Sequence, residues 1–236
     1  MRPRYVSGIV IALSAVLLSG VVLTASSSIT SDDVPPAVFR GEKIIYNVSP
    51  AGKAEYEDMG LVERQGKTYW HVTFRTKLAG FSDLEEIYAD PETGMPLIVE
   101  RHINWPLTKE HLIEEYDPQN NSLVVRKFMN KKVSDEYKYK SDSPYHNAVL
   151  LPFSLRRIDG LEVGWSMAIR LQEEFTVTLT GIEEIKVNDR KVTAYHFTSK
   201  PDKFEIWVSK DKDRLPVLIK GTVGCSLSLQ SHSSGQ

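Results

Sequence analysis

Two histidines and two glutamates fall close together in one stretch, as His102, Glu110, His111 and Glu114. Imidazole and carboxylate are common ligands of a divalent transition metal. A site needs them on one face, however, and here Trp105-Pro106 separates His102 from His111. No i, i+4 pair of histidines and no HExxH arrangement fixes two ligands together. The expectation is no metal. Ser154, His146 and Asp159 are the residue types of a nucleophile, a general base and its orienting acid. No GxSxG elbow surrounds a serine. Glu173-Glu174 and Glu183-Glu184 are adjacent residues of strand-like segments, so each pair points to opposite faces and reads as a solvated strand end. Asp202, Asp211 and Asp213 lack the glycine and terminal glutamate of a calcium loop, and turn chemistry accounts for them better. Cys225, the single cysteine, shares a strand face with Val223, Leu227 and Leu229 and reads as a small packed hydrophobe. The chain is therefore expected to be neither an enzyme nor the holder of a cofactor.

The elements that would position such residues are strands. In Phe204 to Lys220, FEIWVSKDKDRLPVLIK, apolar residues alternate through Phe204, Ile206 and Val208, a charged turn follows, and alternation resumes at Leu215, Val217 and Ile219. That pattern is a β-hairpin. Much the same sentence occurs at Glu85 to Arg101, with Ile87-Tyr88 standing for Ile206-Trp207 and Met95-Pro96 for Leu215-Pro216. EEYDPQNNSLVVRK is a weaker third copy. A hairpin is marginal alone, so one that recurs reads as the unit of a larger antiparallel sheet. Trp70, Val72, Phe74, Thr76 and Leu78 alternate with polar residues in one of the clearest strands. The Lys-rich stretch Lys131 to Lys140 is polar on both sides and suits an edge strand. Ser143 and Pro144 stand as the cap and first residue of a helix to Arg157, interrupted by Pro152.

Around a dozen strands of about five to six residues share one apolar face, yet the only cover is a broken helix of about 15 residues, about 22 Å long. Each large apolar side chain left in water costs about 1.5 to 3 kcal/mol. The expected fold is therefore mainly β: an antiparallel, strongly curled sheet forming a barrel or half-barrel, with one short broken helix near 143–157. Such a shape encloses apolar side chains, and Trp70, Val72, Phe74, Phe175, Val177, Phe204 and Ile206 are the candidates to line a ligand cavity. Trp207 shares a face with Glu205 and Ser209, which places it on the outer side or a packing seam.

Arg2 and Arg4 precede an uncharged run from Tyr5 to Thr30, the pattern of an export signal or an uncleaved N-terminal anchor. The expected division is an export segment over 1–25, a linker over 26–38, one β domain over 39–230 and a flexible tail over 231–236. Without the two arginines the formal charge moves only from -2 to -4, so nucleic acid is not an expected partner. The expected location is the periplasm, with membrane contact only through residues 5–25.

GEKIIYNV near the domain start, the helix ending in Leu155-Arg156-Arg157, the turn LEVGW and the terminal EIWVSKDKDRLPV occur in that order. Together they resemble the bacterial exported proteins grouped as domain of unknown function 3108, over Phe39 to about Leu229. The resemblance implies a periplasmic, mostly antiparallel β protein without an assigned activity. Two functions follow as expectations. One is non-enzymatic binding of a lipid or other hydrophobic molecule inside the sheet. The other is an envelope scaffold with a packed interior, docking a partner protein by strand addition near Lys131 to Lys140.

Overall fold

The computed structural model describes residues 41–221 and 224–234, so the expected export segment and linker, and Val223, lie outside the described residues. The first eight strands are β1 (Lys43–Ser49), β2 (Gly52–Arg64), β3 (Lys67–Leu78), β4 (Phe81–Ala89), β5 (Pro96–Asn104), β6 (Lys109–Asp117), β7 (Ser122–Met129) and β8 (Lys132–Lys140). A strap carrying the short helix α1 (Leu151–Leu155) follows. The chain then returns to β9 (Ser166–Arg170), β10 (Glu174–Val187), β11 (Arg190–Lys200), β12 (Phe204–Ser209), β13 (Pro216–Gly221) and β14 (Ser226–Ser233).

All fourteen strands join one antiparallel sheet in the order β8-β7-β6-β5-β4-β3-β2-β1-β14-β13-β12-β11-β10-β9. Every neighbour but one is also a sequence neighbour. The exception is β1 with β14, whose pairing from Lys43↔Ser233 to Ser49↔Ser226 joins the two meanders. The mainly-β reading with one short helix holds. Closure by hydrogen bonding does not occur, since β8 and β9 end the order and are not paired with each other among the described residues.

The recurring hairpin has a recurring turn. Asp90 Oδ1 accepts from the N–H groups of Glu92 and Thr93 at 3.0 and 2.9 Å. Asp211 Oδ1 accepts from Asp213 and Arg214 at 3.0 and 3.1 Å, and Asp117 Oδ1 from Asn120 at 3.0 Å. In each, an aspartate satisfies backbone donors that the reversing chain leaves open. The aromatic residue before the turn repeats as well. Tyr88 stacks on His71 of the preceding strand at 4.6 Å, and Trp207 stacks on His196 at 4.2 Å. A cation also lies over the ring in both copies, Arg64 at 4.8 Å from Tyr88 and Lys220 at 4.5 Å from Trp207. Trp207 is itself buried and donates to Glu183 at 2.5 Å, so Glu183 is a partner in mid-strand and not a solvated strand end.

Two boundaries differ from expectation. The helix does not start at Ser143. That side chain accepts from Arg170 Nε at 3.1 Å, while Tyr145 bridges Arg170, and residues 141–146 thereby tie to the β9 edge. The turn into α1 is organised instead by Asn147, whose Oδ1 accepts from Val149 and Leu150 at 2.9 and 3.1 Å. Pro152 sits in the first turn of α1, where no intrahelical donor is required, so it opens the helix instead of interrupting it. At the other end, residues 231–233 are strand and not flexible tail, because β1 supplies their backbone partners and His232 reaches Glu42 at 2.9 Å.

The strap covers the sheet. Tyr145 joins the apolar cluster of Phe81, Ile103, Leu112, Leu123 and Val125. Val149, Leu150 and Phe153 join the central cluster, which gathers residues of β1 to β5 together with Val187, Ala194, Trp207 and Val217 of β10 to β13, and in which Phe153 stacks on Tyr56 at 3.7 Å. Leu151, Leu155, Ile158 and Leu161 join the cluster of β9 to β12. One segment of mostly irregular backbone thus supplies the apolar cover that a longer helix was expected to give.

Candidate functional site

On the strap-covered face, β4 reads Phe81, Asp83, Glu85, Ile87, Ala89, every one of them buried. Charge at two apolar-phase positions needs partners, and β5 places Arg101 directly opposite Glu85. The Arg101 guanidinium is bonded to Asp83 and lies 3.4 Å from Glu85 and 3.8 Å from Glu114. Tyr116 donates to Glu114 at 2.6 Å, and the strap residue Asn147 lies beside Glu85 and Tyr116. Three carboxylates therefore face one cation. Burial pushes the Glu85 carboxyl up to about 8, against the pull of Arg101 and with the help of Asp83 and Glu114. Burial raises Asp83 as well. Holding the proton on Glu85 near neutral pH lessens the negative charge gathered around Arg101.

Beside this cluster a cavity of about 30 Å³ lies among Met95, Pro96, His146, Leu150, Ser154 and Met167. That is room for about one water. His146 and Ser154 both line it, but each is already engaged. His146 Nδ1 accepts from the Arg170 N–H at 3.3 Å, and Ser154 Oγ donates to the Leu150 carbonyl at 3.2 Å. Asp159 is exposed and faces Arg214 at 3.5 Å. No hydrolytic constellation results from these three.

The seven residues expected to line a ligand cavity are all buried. Trp70, Val72 and Phe74 pack in the central cluster, where Trp70 Nε1 donates to Asp58 at 2.9 Å. Phe175, Val177, Phe204 and Ile206 pack in the β9 to β12 cluster, with the Phe175 and Phe204 rings 5.4 Å apart. None of the seven borders the small cavity. The strap's Phe153 shares the central cluster with Trp70, Val72 and Phe74, and its Leu151 and Leu155 share the other cluster with the remaining four.

Arg157, just beyond α1, is enclosed with no hydrogen-bond acceptor on any guanidinium nitrogen, and burial lowers its pKa. It lies 5.9 Å from the Trp70 ring and against Gly94 of the β4–β5 turn. A Cβ at Gly94 would come within 2.6 Å of Arg157 Nη2, and the backbone there has φ +71°. Gly94→Ala is therefore expected to cost at least about 1 kcal/mol. Urea denaturation checks this; an unchanged midpoint would refute the close packing.

On the opposite face the β5–β6 hairpin pairs His102 directly with His111, and their rings stack at 4.5 Å with an angle of 7°. Glu100 lies on the same face, and one donor atom from each of Glu100, His102 and His111 falls within 4.8 Å of the others. Sequence reasoning paired the histidines with the wrong carboxylates. Glu114 turns inward to Arg101, and Glu110 faces Lys127 at 3.2 Å. The buried charges of β4 and β5 were missed too. Their signal is Asp83 and Glu85 in phase with Phe81 and Ile87, and Arg101 in phase with Val99 and Ile103.

Comparison with known proteins gives three results. The profile of the family described as "Protein of unknown function (DUF3108)" matches residues 43–225. No curated protein matches. Among solved structures, the chain is similar to a β-barrel-like protein of domain of unknown function DUF1849 from Brucella abortus. The TM-score is 0.50 at 8% identity, over 85% of this chain and 100% of that one. At that identity the likeness is one of fold alone.

Proposed function

The chain belongs to the DUF3108 family of proteins of unknown function, and from that premise we propose that it is an exported, non-enzymatic module that docks a partner protein and carries no lipid. The observation that supports this is the filled face. A site for a lipid needs roughly 300 Å³ or more, whereas the strap side chains pack against the residues expected to line one, and the cavity beside the charged cluster, which none of those residues borders, holds about 30 Å³.

The shape invoked is a half-barrel. The tip of the β10–β11 hairpin reaches past β12 and β13, where Asn188 donates to the Leu229 carbonyl of β14, and the likeness to a β-barrel-like protein agrees with such a bend. Binding then falls to the surface. Strand β8 ends the sheet, is exposed along nearly its whole length, and bears Val133 and Tyr139 at 51% and 41% exposure. Its outer backbone groups suit addition of an extended segment from another envelope protein. Export rests on Arg2, Arg4 and the apolar run after them.

The test is native mass spectrometry, with organic extraction, of the chain purified without detergent from its own cell envelope, combined with photo-crosslinking from Tyr139 and, as a control, from Lys212. The expected result is the bare protein mass and one discrete adduct from Tyr139 alone. A reproducible co-purifying lipid would restore the carrier reading, and equal labelling from both positions would remove the docking edge.

A further inference from the structure

We propose that Glu100, His102 and His111 form a binding site for one divalent transition-metal ion on the outer face of the β5–β6 hairpin. The site is independent of the docking edge. Its logic is register: residues nine apart in sequence become direct neighbours when the hairpin closes, and the cross-strand pairing sets His102 against His111. Glu100, two residues before His102, shares that face. Two imidazoles and one carboxylate make a donor set suited to zinc, which takes nitrogen and oxygen at about 2.0 to 2.2 Å, and leave a fourth position open.

The surroundings orient all three. Arg64 donates to Glu100 Oε1 at 2.6 Å, fixing that carboxylate and leaving Oε2 free to face an ion. A neighbour that bonds the ligating carboxylate in this way is the usual support of a metal site. The Phe128 ring, 5.1 Å away, backs His111. His111 Nε2 is enclosed and has no hydrogen-bond partner. A buried imidazole nitrogen left unmatched is a cost that an ion would remove. The donors already lie within 4.8 Å of one another, and the His102 ring is exposed, so it has room to turn toward an ion. The nitrogen ligands select a transition metal over calcium or magnesium, which prefer oxygen throughout.

The experiment uses the full, untagged chain titrated with Zn²⁺ by calorimetry and with Co²⁺ by visible absorption, which reports tetrahedral coordination. The expected result is one ion per chain, with affinity reduced at least about tenfold in His102→Ala and in His111→Gln, and about tenfold in Arg64→Ala through loss of carboxylate positioning. Glu110→Gln should bind as the native chain does. Circular dichroism on each variant separates lost binding from lost fold, and His102→Ala is at an exposed position where the fold is expected to persist. Zinc affinity unchanged in a His102→Ala/His111→Gln double variant would overturn the site, as would absence of the tetrahedral cobalt band in the native chain.

Discussion

Arg156→Ala is expected to remove about 3 to 5 kcal/mol of stability, much of the roughly 5 to 15 kcal/mol that a domain possesses. Arg156 caps α1 from within the core and is buried, as is its partner Glu42. Its guanidinium bonds the Glu42 carboxylate and the Asp213 carbonyl, and Glu42 also contacts His232 at 2.9 Å. Four segments meet there: the start of β1, the strap, the β12–β13 turn and β14. An arginine truncated at this point leaves a carboxylate in the core without its cation, and the desolvation of that carboxylate is then uncompensated. Urea denaturation reads the loss as a lower midpoint. The paired change Arg156→Met with Glu42→Gln should be much milder, because it removes both charges together. A loss under about 1 kcal/mol for Arg156→Ala, as at an exposed pair, would mean the junction does not hold the two meanders together.

That junction also marks where sequence reading stops. Hairpins such as β4–β5 and β12–β13 were legible because alternation and turn residues are local, and the polar character of β8 announced its edge position. The pairing of β1 with β14 joins residues some 190 apart, and no local pattern carries it. Residues 231–233 looked like tail because their side chains are polar. They are strand because the partner is a backbone, which side-chain polarity does not reveal. Ser143-Pro144 has the chemistry of a helix start, but Arg170 competes for the serine and Asn147 makes the turn. A cap preference of about 1 kcal/mol is easily overridden by such tertiary contacts. Register also decides the surroundings of His102 and His111: both were visible, but which carboxylate stands beside them depends on the hairpin's alignment and on which residues face inward.

The charged cluster under the strap should make stability fall as pH rises. Glu85 titrates near 4.5 in an unfolded chain and is pushed up to about 8 in the fold, first by burial and then by Asp83 and Glu114, against Arg101 and Asn147. Between those values the folded state keeps a proton that the unfolded state has lost, so each pH unit removes about 1.4 kcal/mol, and the loss levels off above the folded value. Asp83, also raised, adds in the same direction. The opposite slope comes from His71, His111 and His146, which burial lowers. They are held neutral in the fold, so their contribution is lost as pH falls below the usual histidine value, and the two trends together place a stability maximum on the acidic side of neutrality. Glu85→Gln isolates the carboxyl, since it keeps the size and polarity of the side chain and removes the titration. Urea midpoints measured from pH 5 to pH 9 should converge with the native chain at the acidic end and exceed it at the alkaline end. Parallel curves across that range would show that Glu85 is ionised throughout, with Arg101 compensating its charge as well as that of Asp83. Arg101→Met should in that case be no worse at pH 9 than at pH 5, whereas a cluster in which Glu85 gives up its proton only at alkaline pH is destabilised most at pH 9, where that added charge lacks the cation.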